Sequence, residues 1–383
     1  MGFFKNKTFN LIYGHSAFQA IAMHGGEAFA FVYLLKAGIS VPIVLFCIGA
    51  MFASRLVFRH AVLPVAKRIG LRQALILGIL VEALTYPLLS QITGVGPLLV
   101  AYLTLWAISS SFYWTNYHAY VALIGDSEHS GSQVGGIEFI GMIIGILAPL
   151  ASGMMLTFLE PLVAFSIVGL CMAASAIPIA FGPDIFVAPE AAVPRAAKLP
   201  ALKAMFADGI RSGSFHFTWL IALFITLKSS YASYGGALAF AGIVGAVMGL
   251  FVGKSIDLGQ GKRALQFGIG LLSIAVLSRA VGYSAVWSAV LANAAAAVAW
   301  PPYATAFNSR IYNMSRQSPC PLRYHILAEG GWDAGTATGC FVSALAIYLG
   351  FSFFWPLLLG LAGCLLAYVV LAPMYEEADL EIR

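Results

Sequence analysis

In the segment "PLRYHILAEGGWDAGTATG", ionisable side chains recur every fourth residue: His325, Glu329 and Asp333. On an α-helix that spacing stacks them along one stripe. Two carboxyls so close repel when both are ionised, so they are expected to share a proton, and an imidazole beside them titrates near neutral pH. The chemistry this favours is reversible proton binding or polar recognition of a solute. A second constellation lies in "IAMHGGEAF", where His24 and Glu27 are three residues apart on one helical face. Gly25 and Gly26 between them allow local unwinding or close approach of a solute. Trp114 and His118 share a face of a third segment, and Glu138, His216 and Trp300 add single polar or aromatic groups. The tryptophans offer flat surfaces on which an organic solute could stack, although aromatics at helical spacing also serve packing.

All of these residues lie in apolar runs. The chain has 383 residues, 60% of them hydrophobic and 10% charged, with mean hydropathy +0.88. A soluble domain has about 25% charged residues, so the bulk solvent of this chain is lipid. A charge at the bilayer centre costs about 2.5–3.5 kcal/mol on insertion scales, which makes every intramembrane ionisable group a functional candidate. Each helical crossing needs about 20 largely apolar residues. Apolar blocks and turn residues place helices near 11–35, 41–63, 72–92, 97–123, 133–157 and 160–181, then near 212–232, 235–254, 262–283, 285–309, 322–349 and 351–374. Continuous blocks of this kind exclude a barrel of alternating strands. The expected architecture is an all-α integral membrane protein of twelve transmembrane helices in two pseudo-symmetric six-helix bundles. The expected units are 1–181, a cytoplasmic central loop 182–211, and 212–383 with a short tail.

Lys and Arg set the orientation, because they stay on the cytoplasmic side. With both termini inside, 18 of them fall on inner loops or inner helix ends, including Arg55, Arg59 and Arg211. Only Lys36 and Lys228 fall outside, and Arg279 is left in the membrane. The net charge of +5 therefore reflects topology, and no nucleic-acid partner is expected. No cleavable leader is expected after Lys5 and Lys7. Cys47, Cys171, Cys320, Cys340 and Cys364 are scattered without a CxxC pair and read as small core residues.

The halves echo one another. His24 and His216 are 192 residues apart, as are Lys36 and Lys228, while Gly70 and Gly261, like Glu138 and Glu329, are 191 apart. The loop "GKSIDLGQGKR" holds Gly253, Asp257, Gly261, Lys262 and Arg263, and "LPVAKRIGLRQ" holds Arg68, Gly70 and Arg72. These loops resemble the duplicated cytoplasmic signature of the major facilitator superfamily, with Lys67 where that family usually has Asp. Two features of its drug exporters are missing. The fourth helix has no early Arg, and Pro149 stands alone in the glycine-containing fifth helix.

The resemblance implies a central cavity bordered by helices 1, 4, 7 and 10 and flanked by 2, 5, 8 and 11. His24, Glu27, Trp114, His118, Glu138, His216, Trp300, His325, Glu329 and Asp333 would line it, leaving Glu82 and Arg279 to structural pairing or snorkelling. The function expected is secondary active transport of a small solute by alternating access, coupled to protons. The alternatives are a transition-metal or metal-chelate carrier and a polytopic enzyme acting on lipid. No catalytic residue, resident metal or cofactor is expected, and the pattern predicts no enzyme activity. The expected partners are a small molecule or ion, protons and the bilayer, for a monomer in a bacterial inner (plasma) membrane.

Overall fold

A computed structural model describes residues 6–125, 130–186, 195–256 and 261–381. Among them the chain forms helices and no strand. Joined where they run on, the helices make twelve rods. The first six are α1 (Lys7–Ala22, a π-helical turn Met23–Glu27, then Ala28–Lys36), α2 (Val41–Ile69), α3 (Leu71–Leu89), α4 (Pro97–Ile124), α5 (Ser130–Phe158) and α6 (Pro161–Ala174, continued by Ala176–Ala180). The other six are α7 (Arg195–Arg211, a π-helical turn Ser212–Phe217, then Thr218–Thr226), α8 (Tyr231–Ile256), α9 (Gly261–Gly282), α10 (Val286–Gln317), α11 (Pro321–Tyr348) and α12 (Phe354–Leu358 with Gly360–Glu381).

Local chemistry explains where the rods begin and end. Pro42, Pro97, Pro161 and Pro321 occupy first-turn positions, where a missing N–H costs nothing. The Asn6 side chain caps α1 by accepting from the Phe9 N–H at 3.0 Å. Gly70 stops α2 at φ 88° and ψ 159°, a conformation essentially reserved for glycine. Seven of the described helices are long and apolar enough to cross a membrane. Of the rest, α1 and α7 are interrupted by π turns, and the apolar part of α8, Tyr231–Val247, is shorter.

Small residues bring the rods together. On α7, Gly209 and Gly213 lie against Gly335 and Gly339 of α11, so closely that a methyl on any of them would strike the partner's backbone. Gly153 of α5 meets Gly235 of α8 in the same way. Close backbone approach through glycine is how helices associate where lipid removes the hydrophobic drive. The α5–α8 and α2–α11 contacts join the first six rods to the second six. Aromatic edges fill the seam: Phe217 packs on Phe31 and Phe52 at 5.5 and 5.4 Å, and Phe52 on Trp332 at 5.1 Å. Val57, Leu84, Leu170 and Val369 stay exposed on the outside, as lipid-facing side chains do.

The helix Arg195–Arg211 falls inside the stretch expected as a central loop. It packs on α11 and α12 and leads into the π turn without a break. Its buried face, Ala201, Ala204, Met205 and Ala207, is apolar enough to join the core.

Candidate functional site

The densest polar cluster bridges the two halves. Arg55 and Arg59 are one turn apart on α2, and Glu329 and Asp333 one turn apart on α11, with all four side chains buried. Arg55 Nη2 lies 3.5 Å from Glu329 Oε2, and Arg55 Nε 3.1 Å from Asp333 Oδ1. The second approach is an ion contact without hydrogen-bond alignment, since neither atom has a hydrogen-bond partner. Arg59 Nη2 donates to Asp333 Oδ2, and its Nη1 to Thr115 Oγ1 of α4 at 2.6 Å. The matching one-turn spacings let two rods from opposite halves lie side by side with charges in register.

This arrangement corrects two expectations. Arg55 and Arg59 are not charges at a cytoplasmic helix end; they are buried partners of the α11 acids, and Arg211 is buried as well. Glu329 and Asp333 face guanidinium groups, so their mutual repulsion is compensated. The arginines carried a usable signal, for both stand deep inside the apolar run that begins at Val41.

His118 extends the cluster. Its Nε2 is 3.5 Å from Glu329 Oε1, and its Nδ1 is 2.6 Å from the Tyr312 hydroxyl of α10. The Glu329 approach is an ion contact without hydrogen-bond alignment, and the direction of the Tyr312 hydrogen bond follows the ring's tautomer. The ring stacks between Trp114 at 5.5 Å and His325 at 5.4 Å, each at 27°. His325 is buried, and neither of its ring nitrogens has a hydrogen-bond partner. A neighbouring histidine, His15, donates through Nδ1 to the Ser175 carbonyl at 2.9 Å, so its Nε2 accepts from the Tyr113 hydroxyl at 2.8 Å. That fixes one neutral tautomer and marks His15 as a satisfied core group.

The two π turns occupy corresponding places in α1 and α7 and hold His24 and His216, respectively. Turns of this type are frequent at functional sites. His24 is half-buried, with Gly145 of α5 beside its ring. His216 is exposed and within electrostatic reach of His24, so it lies close to the boundary between the halves. Glu27, at the end of the first π turn, is half-buried, and buried Glu82 of α3 and Arg55 lie within its electrostatic reach. Glu138 of α5 is half-buried, with Tyr117 and Tyr312 in reach.

A second buried cluster ties α7, α10 and α11 together. Asp208 accepts from Arg211 Nε at 2.7 Å, the Tyr303 hydroxyl at 2.8 Å and Trp332 Nε1 at 2.9 Å. Trp300 is 40% exposed and lies 5.1 Å from the Arg211 guanidinium, well placed for a cation–π contact. Arg279, expected to pair or snorkel, is buried against Phe215 and Trp219 instead. The structure thus gathers Trp114, His118, His325, Glu329 and Asp333 in one place and His24, Glu27 and His216 around the π turns. Trp300 stands apart with Arg211.

Of the loop signature, Gly70 and Arg72 meet Asp184, which follows α6. Arg72 Nη2 is 3.6 Å from the Asp184 carboxylate, and Nη1 donates to the Gly182 carbonyl at 2.8 Å. Asp184 thereby supplies an acid near the position where Lys67 replaces one. Arg68 is exposed, Lys262 and Arg263 lie on the first turn of α9, and Gly253 and Gly261 lie near the facing ends of α8 and α9. Asp257 lies outside the described residues. Two open grooves of about 530 and 460 Å³ lie at rod ends, near Thr226 and Tyr283 and near Tyr33 and Lys36. Neither is lined by the charge cluster.

No family model and no curated protein matches the chain. Its fold is nevertheless similar to solved structures along nearly its whole length. A POT family transporter in complex with 5-aminolevulinic acid superposes with TM-score 0.70 at 12% identity, covering 97% of each chain. A POT family transporter with a thioalcohol conjugated peptide gives 0.71 at 12% identity and 98% coverage of each. The human organic anion transporter MFSD10 (TETRAN) gives 0.68 at 15% identity, covering 95% of this chain and 99% of its own.

Proposed function

We propose that this chain, which has the major facilitator fold, is a secondary carrier moving a small organic solute across a membrane by alternating access. The observation that carries this reading is the buried ion cluster joining Arg55 and Arg59 to Glu329 and Asp333 across the two halves. A static protein gains little from burying four charges at a seam, because desolvation offsets much of the attraction. A carrier gains a contact that holds one conformation and separates into two hydrated surfaces of opposite charge when the halves rock apart. The α5–α8 glycine contact supplies a second, uncharged seam.

Proton coupling fits Glu27 better than the α11 acids. Glu329 and Asp333 have guanidinium partners, whereas no ion pair to Glu27 is formed among the described residues and Glu82 stands close by. A proton bound by that carboxyl pair would remove its repulsion. An organic solute is favoured over a metal ion, because among the described residues no three His, Cys, Asp or Glu side chains are placed to hold one. The molecules named with the similar POT structures are likewise organic. A lipid-modifying enzyme is not favoured, since the polar groups lie between the halves. The test is uptake into proteoliposomes under an imposed pH gradient, screened over amino acids, short peptides, organic acids and organic cations. Gradient-driven uptake of one class, uncoupled by Glu27→Gln, is expected; no flux of any class would end the carrier reading.

A further inference from the structure

Arg279 of α9 is the buried arginine whose charge the protein leaves open. Arg55, Arg59 and Arg211 each face an Asp or Glu carboxylate. Arg279 has none within ion-pair or electrostatic reach among the described residues. Its guanidinium carbon lies 4.4 Å from the Phe215 ring and 4.8 Å from the Trp219 ring. Nη2 donates to Asn293 Oδ1 at 3.1 Å, while buried Nε has no hydrogen-bond partner. Asn293 is held in turn by Trp219 Nε1 at 2.9 Å and by its own donation to the Ala237 carbonyl at 3.2 Å. An aspartate has the same shape and would have completed the ion pair. The chain places a neutral amide there.

One exposed residue stands close to this charge. Phe215, which covers the Arg279 guanidinium, belongs to the α7 π turn, and the next residue, His216, is exposed and close to the boundary between the halves. His216 lies within electrostatic reach of both Arg279 and Arg211. An anion reaching Arg279 from that boundary meets an uncompensated guanidinium, with the Phe215 and Trp219 rings packed on it.

Resting on the carrier function proposed above, we propose that Arg279 is the anion subsite of the carrier and takes the carboxylate of an organic solute. The solute's carboxylate completes the ion pair that Asn293 leaves unmade. Arginine suits this task, since its planar fork matches a carboxylate. His216 is the exposed residue at the entrance, and Arg211 is already paired with Asp208.

The test uses the purified full chain in detergent and calorimetric titration with benzoate, phenylacetate and 3-phenylpropionate, each against its neutral amide. At least one carboxylate is expected to bind tenfold or more tightly than its amide. Asn293→Asp, which gives Arg279 an internal counter-ion and keeps the acceptor for Trp219, should weaken that binding at least tenfold. Arg279→Gln should do the same, and if it fails to fold, Asn293→Asp alone decides. Amides binding as well as carboxylates, no carboxylate binding, or an unchanged affinity in Asn293→Asp would each overturn the subsite. Vesicle flux separates the two proposals. Transport of neutral solutes without carboxylate preference removes the subsite and keeps the carrier, whereas Arg279-dependent carboxylate binding without any flux keeps the subsite and removes the carrier.

Discussion

Arg59 and Asp333, 274 residues apart in the chain, are hydrogen-bonded across the boundary between the two halves of the molecule. Asp333 also faces Arg55, so one carboxylate serves two buried guanidinium groups. Removing one member of a buried pair leaves an uncompensated charge and costs about 3–5 kcal/mol. Asp333→Asn should therefore lower the unfolding temperature of the purified protein and abolish flux. The exchange Arg59→Asp with Asp333→Arg should recover part of the stability, read as a coupling energy in a double-mutant cycle. Strict additivity of the two single changes would show that the pair contributes nothing.

His118 links that cluster to α10 through Tyr312. An imidazole in such a link can bind and release a proton, which gives the uptake rate a pH-dependent limb. His118→Gln keeps a polar side chain but cannot titrate, so the uptake rate should lose that limb while the protein still folds. An identical pH profile in wild type and variant would remove His118 from the proton route.

Glycine contacts make a sharp comparison. A Cβ on Gly339 would lie 2.8 Å from the Ile210 carbonyl and 2.9 Å from the Ser214 nitrogen, whereas one on Gly236 would meet nothing within 4 Å. Overpacking of a tight contact costs about 1–3 kcal/mol. Gly339→Ala should lower the unfolding temperature and Gly236→Ala leave it nearly unchanged. Equal effects would contradict the packing described for α7 and α11.

Gly70 is strained for any other residue and presses on Asp184. Its φ of 88° excludes a side chain comfortably, and a Cβ there would collide with the Asp184 carboxylate. Gly70→Ala should cost at least about 1–3 kcal/mol from backbone strain alone. Pairing it with Asp184→Ala should return only the steric part and forfeit the Arg72 contact. Thermal unfolding of the three variants distinguishes the two contributions, and full recovery in the double variant would show that strain at Gly70 is negligible.

Much of the molecule was legible before any coordinates. Apolar runs of rod length fix α2, α3, α4 and α6, because a backbone in lipid satisfies its hydrogen bonds within a helix. Four-residue spacing put His325, Glu329 and Asp333 on one stripe, and the structure gathers them. The 192-residue offset aligned His24 with His216, each of which sits in a π turn.

Other features exist only once the rods are packed. Arg55 and Arg59 read as topological charges in a linear chain; their depth in the apolar run signals burial, but it does not say which acid on another rod meets them. Their partners lie 274 residues away on α11, and no local rule spans that distance. The π turns pack against α5 and α11, contacts that hydropathy does not reveal. Arg279 is the same kind of case: its sequence position announces a costly charge, but only the tertiary structure decides that Asn293, not an acid, stands beside it. Periodicity and hydropathy are properties of neighbours in sequence, and they determined the elements. Charge compensation is a property of neighbours in space, and the fold decided it.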